Sequence, residues 1–286
     1  MNLRAVRKKT KSVKNVKKIT KAMQMVSAVK MKKSVAEETE GRPYRTSLYQ
    51  LLQSVAAKID ISHSPLLQAP PADKNKDLVI YISANKGLCG AFHVNLLRYA
   101  IKHINLKETE FITLGTKGAQ LISRFDRDIL SDYSSGHPMN QVTAIFDQVV
   151  ALFMSGSFRS IKLLYTQYIS ATKSDVVLDQ LLPFDSKDSK NTESTEQTNL
   201  EYLIEPSPAS LVDPLLRSIV EEKIRGAVIS SQAVEHSMRM MAMKNATDNA
   251  SDVIYSLTLI GNKLRQSKIT GELLDMITAK ESVESN

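Results

Sequence analysis

Between Leu3 and Ile59 apolar residues recur at steps of three and four: Leu3, Val6, Val13, Val16, Ile19, Met23, Val26 and Val29. Thr10 fills one gap, and Tyr49, Leu52, Val55, Ala56 and Ile59 continue the series. This is a helical stripe and not the alternation of a strand. Gly41-Arg42-Pro43 interrupts it and predicts a bend. A continuous helix of this length would span roughly 90 Å, too long for one face of a small globule. At the other end no proline follows Pro214, and Leu215, Ile219, Val220, Ile224, Ala227, Val228, Ser231, Val234, Met238 and Met241 again keep helical spacing. The stripe resumes at Ile254, Leu257, Ile260 and Leu264, then at Ile269, Leu273, Met276 and Ile277. Two helices this long at opposite ends of one chain pair most simply as an antiparallel coiled coil.

Between them the period changes. Leu78–Ile82, Phe111–Leu114 and Ile161–Tyr168 read as strands, and Lys117–Arg124 and Val142–Met154 as helices. A further helix follows Ser83–Gly90 and runs to about Ile104. Strand–helix alternation predicts an α/β domain, Rossmann-like, with a mainly parallel sheet. Val176–Leu182 and Leu200–Ile204 read as two closing strands, and the polar run 185–199 between them as a loop. The expected organisation is an N-terminal coiled-coil helix over 1–59, a linker over 60–77, an α/β foot over 78–205 and a C-terminal coiled-coil helix over 206–286. The linker reading rests on Pro65, Pro70 and Pro71.

Composition narrows the function. Of 286 residues 42% are hydrophobic, none is Trp and one is Cys, so packing depends on aliphatics and eleven Met, without an internal disulfide. No apolar run reaches the ~18 residues of a membrane helix, and the basic start has no secretory-signal core behind it. The expectation is an intracellular, water-soluble chain. Charge is uneven: residues 1–36 hold twelve Lys and Arg and no acid, while the remainder holds 26 basic and 30 acidic residues. A solvated helix face is the usual meaning of a charge run, but twelve to none points to an acidic partner.

Enzyme signatures are missing: there is no Walker loop, no dinucleotide glycine pattern and no nucleophile elbow. The five His show no metal-ligand spacing among themselves or with Cys89. Gly87-Leu88-Cys89-Gly90 stands where a phosphate-binding turn could sit, but a tight strand-to-helix turn explains two glycines equally well. Cys89, with no His near it in sequence, reads as a buried packing residue. Met238, Met240, Met241 and Met243 crowd into six residues. We place Met23, Met238 and Met241 in the seam between the helices and expect others to face outward as a pliable apolar surface.

Four ordered motifs carry a resemblance. Lys18-Ile19-Thr20-Lys21-Ala22-Met23-Gln24-Met25-Val26, followed by Ala28-Val29-Lys30-Met31, resembles the N-terminal signature of the gamma subunit of F-type ATP synthases. Ser83–Gly90 is similar to that family's Ser-Asp-Arg-Gly-Leu-Cys-Gly loop, with Ala84-Asn85 in place of Asp-Arg. Glu235–Ala250 and the run from Asn262 through Arg265-Gln266, Ile269-Thr270 and Glu272 resemble its C-terminal helix, although Ala279-Lys280 replace an expected Gly-Ala. The resemblance implies a rotor shaft that turns inside a ring of catalytic subunits and couples ATP synthesis or hydrolysis to ion flow, with no cofactor, metal or catalytic site of its own. It implies contacts to the alpha and beta subunits of the catalytic head through Lys9, Lys18, Lys21, Met23, Arg239, Arg265, Gln266, Thr270 and Glu272. Arg42, Tyr44 and Tyr202 would serve the foot, toward the epsilon subunit and the membrane c-ring. The implied location is peripheral to a bacterial inner membrane on its cytoplasmic side, without a membrane span. The alternative is a basic coiled-coil nucleic-acid binder, which explains the N-terminal arm and leaves the C-terminal motifs unexplained.

Equal rise of both helices from the α/β domain predicts a register in which facing residue numbers sum to about 266. Met1 then meets about Arg265, and the apolar stripe beyond Gln266 is left without a partner helix.

Overall fold

A computed structural model describes residues 2–56, 66–67, 76–184 and 208–284. The elements in chain order are α1 (Leu3–Ala56), β1 (Asp77–Ile82), α2 (Phe92–His103), β2 (Thr109–Leu114), α3 (Thr116–Ser123) and β3 (Ile129–Asp132). A 3-10 turn at Pro138–Gln141 leads into α4 (Val142–Met154), followed by β4 (Ser160–Tyr168), β5 (Ser174–Leu182) and α5 (Pro208–Glu284). The expected strand Leu200–Ile204, the 185–199 loop, Tyr202 and most of the 60–77 linker lie outside the described residues.

α1 runs through Pro43 without interruption, where a bend was expected. Proline removes one backbone donor, so the Thr39 carbonyl loses its helical partner while the other turns persist. Pro214 lies inside α5 in the same way.

The chain packs as two units, residues 28–238 and residues 1–27 with 239–286. The boundary falls inside α1 and α5, so each helix lends one stretch to each unit.

In the larger unit the sheet order is β3-β2-β1-β4-β5. The first four strands are mutually parallel, and β5 closes the edge antiparallel to β4. β1 is covered on both faces, which is why Leu78–Ile82 is a continuous apolar run. Leu78, Ile80 and Ile82 point into a core shared with α4, the second half of α1 (Leu48, Leu52, Val55) and the first half of α5 (Leu216, Ile219, Val220). Val79 and Tyr81 point the other way, onto Phe92 and Leu96 of α2 and Ile122 of α3. Leu66, within the expected linker, is buried in the first of these cores, and its carbonyl accepts from the Phe184 amide at 2.8 Å. β3 was not expected. Its four residues carry no period of their own, and pairing with β2 makes them a strand.

The candidate functional site: paired helices and their outward faces

In the smaller unit the N-terminal part of α1 runs antiparallel to the C-terminal part of α5. Thr20 and Thr247 meet through their hydroxyls at 2.8 Å, both buried. Thr247 also reaches the Met243 carbonyl at 2.8 Å and Thr20 the Lys17 carbonyl at 3.1 Å, so one hydroxyl donates across the seam while the other donates back to its own helix. Gly261 faces Val6, where an added methyl would stand 3.5 Å from Val6 Cγ1. Both pairs sum to 267, one residue from the expected register.

The face that makes this seam differs from expectation. Every seventh residue of α1 from Val6 is withdrawn from solvent: Val6, Val13, Thr20 and Ser27 in the smaller unit, then Ser34, Gly41, Leu48 and Val55 in the larger. The middle of this series, Thr20, Ser27, Ser34 and Gly41, is small or hydroxylated. Of the apolar stripe read as the seam, Leu3, Val6, Val13 and Met23 are withdrawn from solvent, but the other four face outward: Val16 is 51% exposed, Ile19 59%, Val26 55% and Val29 70%. Met241, expected in the seam, is exposed, and Met243 is buried in its place. Met23 is half-buried, Met238 packs against the second core of the larger unit, and Met25 faces outward. The seven-residue spacing was the available signal for the true seam, hidden because its middle occupants, Thr20, Ser27, Ser34 and Gly41, are not hydrophobic.

The basic arm flanks this outward apolar face. Lys9, Lys18 and Lys21 are exposed. Among the described residues, only Lys33 of the twelve cations forms an ion pair, with Glu37 at 3.7 Å. Asp248 and Asp252 on α5 are exposed and form no described ion pair. An excess of positive charge therefore faces away from the chain.

Near the end of α1 a groove holds Arg7, Lys11, Lys14 and Arg265 around Leu3, Val6, Leu257 and Gly261. Beyond it, Gln266, Thr270 and Glu272 are exposed, with Lys268 and Glu272 paired at 3.4 Å. Ile269, Leu273, Met276 and Ile277 each expose at least half of their surface. Arg239 departs from its expected role, since it is buried and packed within the chain. In the larger unit Arg42 and Tyr44 are exposed, as a contact surface requires.

The Ser83–Gly90 loop is a packing device. Ser83 Oγ accepts from the Gly118 amide at 2.8 Å, Asn85 Oδ1 accepts from the Thr116 amide at 2.9 Å, and the Ala84 carbonyl accepts from the Lys117 amide at 3.1 Å. The first amides of α3 are thus occupied by the chain itself. Gly115 and Gly118 permit this approach, since a methyl at either would fall within 2.6 Å of Ser83 atoms. Cys89 is buried, as a packing residue would be, while Leu88 beside it is exposed with φ of 61°.

A family model described as ATP synthase matches residues 2–283. The ATP synthase gamma chain of Akkermansia muciniphila is 33% identical over 292 aligned positions covering 99% of each chain. That of Dehalococcoides mccartyi is 36% identical over 290, covering 96% of this chain and 97% of the other. The fold is similar to a chain in the OSCP, F1 and c-ring part of the Euglena gracilis mitochondrial ATP synthase, at a TM-score of 0.68 and 18% identity, covering 99% of this chain and 95% of that one. A chain of the rotor of the same assembly matches at 0.63 and 17%, covering 93% and 98%.

Proposed function

The chain belongs to the ATP synthase gamma chain family, and from that premise we propose how its surfaces serve the rotor. It is the central shaft of a rotary ATP synthase, coupling ion translocation through the membrane sector to ATP synthesis or hydrolysis in the catalytic head. α1 and α5 form the shaft, and the sheet with its helices, together with the stretch of α1 packed on it, forms the foot. The shaft carries no catalytic group and works by presenting surfaces. Its outward apolar residues and unpaired cations meet the alpha and beta subunits of the head, with Lys9, Lys18, Lys21 and Met23 along the side and Arg265, Gln266, Thr270 and Glu272 toward the tip. The foot meets the epsilon subunit and the c-ring through Arg42, Tyr44 and Tyr202. The protein sits peripherally on the cytoplasmic side of a bacterial inner membrane, in keeping with the lack of a helix long and apolar enough to cross a membrane among the described residues.

The observation that carries this reading is the stripe Val16, Ile19, Val26 and Val29, exposed between unpaired lysines on a helix whose other face is already packed. A nucleic-acid binder needs the cations and has no use for the apolar residues between them. The test is reversal of Lys9 or Lys18 to Glu, followed by assembly with head subunits. Each exposed pair contributes about 0–1 kcal/mol. A single reversal should therefore lower coupled ATPase activity mildly and leave assembly intact. Retardation of DNA by the wild-type chain at physiological salt, without binding to the head, would overturn the reading.

A further inference from the structure

Within the larger unit, one side chain joins α1 to α5 by charge. Arg45 of α1 faces Glu222 of α5, with Nη1 3.6 Å from Glu222 Oε1. Its Nη2 donates to Glu38 Oε1, two turns earlier on α1, and to the Glu38 carbonyl at 3.4 Å. The guanidinium rests between two glycines: a methyl at Gly226 would stand 3.2 Å from Arg45 Nη1, and one at Gly41 3.4 Å from it. Glu222 is held on its other side by Arg225 Nε at 3.2 Å, and Arg225 also pairs with Glu221 at 2.9 Å. Among the described residues Glu38 Oε2 and Arg45 Nη1 are buried without a hydrogen-bond partner. A cavity of about 560 Å³ opens beside them, lined by Arg42, Tyr49, Tyr165, Asp179 and Lys223.

We propose that Arg45 is a proton-responsive clasp, tying Glu38 of α1 to Glu222 of α5 so that the charge of these two carboxyls governs how firmly the helices pair in this unit. Two acids share Arg45 in a partly buried place, the Glu38 side chain keeping 33% of its surface in water. Burial lifts both carboxyls above the ordinary range, against the pull of Arg45 and of Arg42 on Glu38, and of Arg225 and Arg45 on Glu222. The charged and titratable groups around them are Arg42 and Tyr49 from α1, Tyr165 and Tyr168 from β4, Asp179 from β5, and Glu221, Lys223 and Arg225 from α5. Asp179 pairs with Lys223 at 3.7 Å, and Tyr165 is pushed up to about 12 by burial and then by Asp179, so the Tyr165 hydroxyl keeps its proton in the working range. A carboxyl whose pKa is raised on folding contributes stability that is fully present below the unfolded value and is lost as pH rises through the folded value. As pH rises the two acids become charged and Arg45 is what holds them beside one another. As pH falls a proton on either acid removes part of their repulsion, and the clasp matters less.

The experiment is thermal unfolding of the full chain at pH 5 and pH 8 for wild type, Arg45→Met, Glu222→Gln and the double variant. Tyrosine fluorescence is the probe, since eight of the nine tyrosines lie within residues 28–238 and there is no Trp. Arg45→Met should lower the midpoint by about 5 °C at pH 8 and by less than half of that at pH 5. Glu222→Gln in that background should recover most of the loss at pH 8. By itself Glu222→Gln should flatten the dependence of the midpoint on pH, which keeps the proposal testable if Arg45→Met fails to fold. A loss equal at both pH values, or a Glu222→Gln chain with the pH slope of wild type, would overturn the clasp.

Discussion

Replacing Ile269, Leu273 and Ile277 by Gln tests the reading of the tip. These residues are 50%, 50% and 54% exposed, four apart on α5, beyond the point where α1 has ended. Full burial of such a side chain is worth about 1.5–3 kcal/mol, so covering the half still in water contributes about 1 kcal/mol each. Losing all three should weaken binding of the chain to assembled head subunits by about 3 kcal/mol, roughly a hundredfold in Kd. Gln keeps nearly the helix propensity of Leu, so the helix itself is spared. The free chain should unfold within a degree or two of wild type, because these side chains touch little of their own protein. Calorimetry of head binding and thermal unfolding of the free chain measure the two quantities separately. Unchanged head affinity would refute the reasoning. So would a drop of many degrees in the free chain, since the tip would then be covered by its own protein. Limited proteolysis offers a second view: cleavage after Arg265 and Lys268 should be fast in the free chain and vanish on assembly.

The seam can be tested with Thr20→Val and Thr247→Val. Each single change should cost about 0.5–1.5 kcal/mol, since Thr247 keeps the Met243 carbonyl and Thr20 can turn to the Lys17 carbonyl at 3.1 Å, while the double variant should cost less than the sum. Strict additivity in unfolding would show that the two hydroxyls are not coupled. Gly118→Ala places a methyl 2.4 Å from Ser83 Oγ and 2.8 Å from the Tyr81 ring, so a loss of about 3 kcal/mol is expected, whereas Gly271→Ala meets nothing and should gain up to about 1 kcal/mol of helix stability. A Gly118→Ala chain as stable as wild type by chemical denaturation would contradict the packing described. Burial pushes the Asp77 carboxyl up, but hydrogen bonds from Lys162 and Ser160 and the charges of Lys162 and Arg159 hold it below the ordinary range. Its contribution is therefore present above the unfolded carboxylate pKa and lost as pH falls through the folded one. Asp77→Asn should shift the unfolding midpoint at pH 7 and matter progressively less below about pH 4, and an equal shift at pH 3 would contradict it.

Long uninterrupted spacing made both terminal helices legible, and the lengths of chain on either side of the α/β domain set the antiparallel register to within one residue. β1 was legible because a strand buried on both faces must be apolar at every position. What the sequence left open was which face of each helix turns inward. α1 carries two rows of candidates, one of aliphatics through Val16, Ile19, Val26 and Val29 and one of smaller residues through Val6, Thr20, Ser27 and Ser34. Hydrophobicity alone prefers the first, since transfer from water rewards area. Pairing with α5 selects the second, whose hydroxyls can satisfy one another across the seam, as Thr20 and Thr247 do. The aliphatics are then free for another protein. β3 and the Arg45–Glu222 pair were invisible for a related reason. A four-residue strand takes its conformation from its neighbour, and an ion pair between residues 177 positions apart exists only once α1 and α5 lie side by side. Local spacing thus determined which elements form, and tertiary packing alone decided which of their faces the protein keeps for itself.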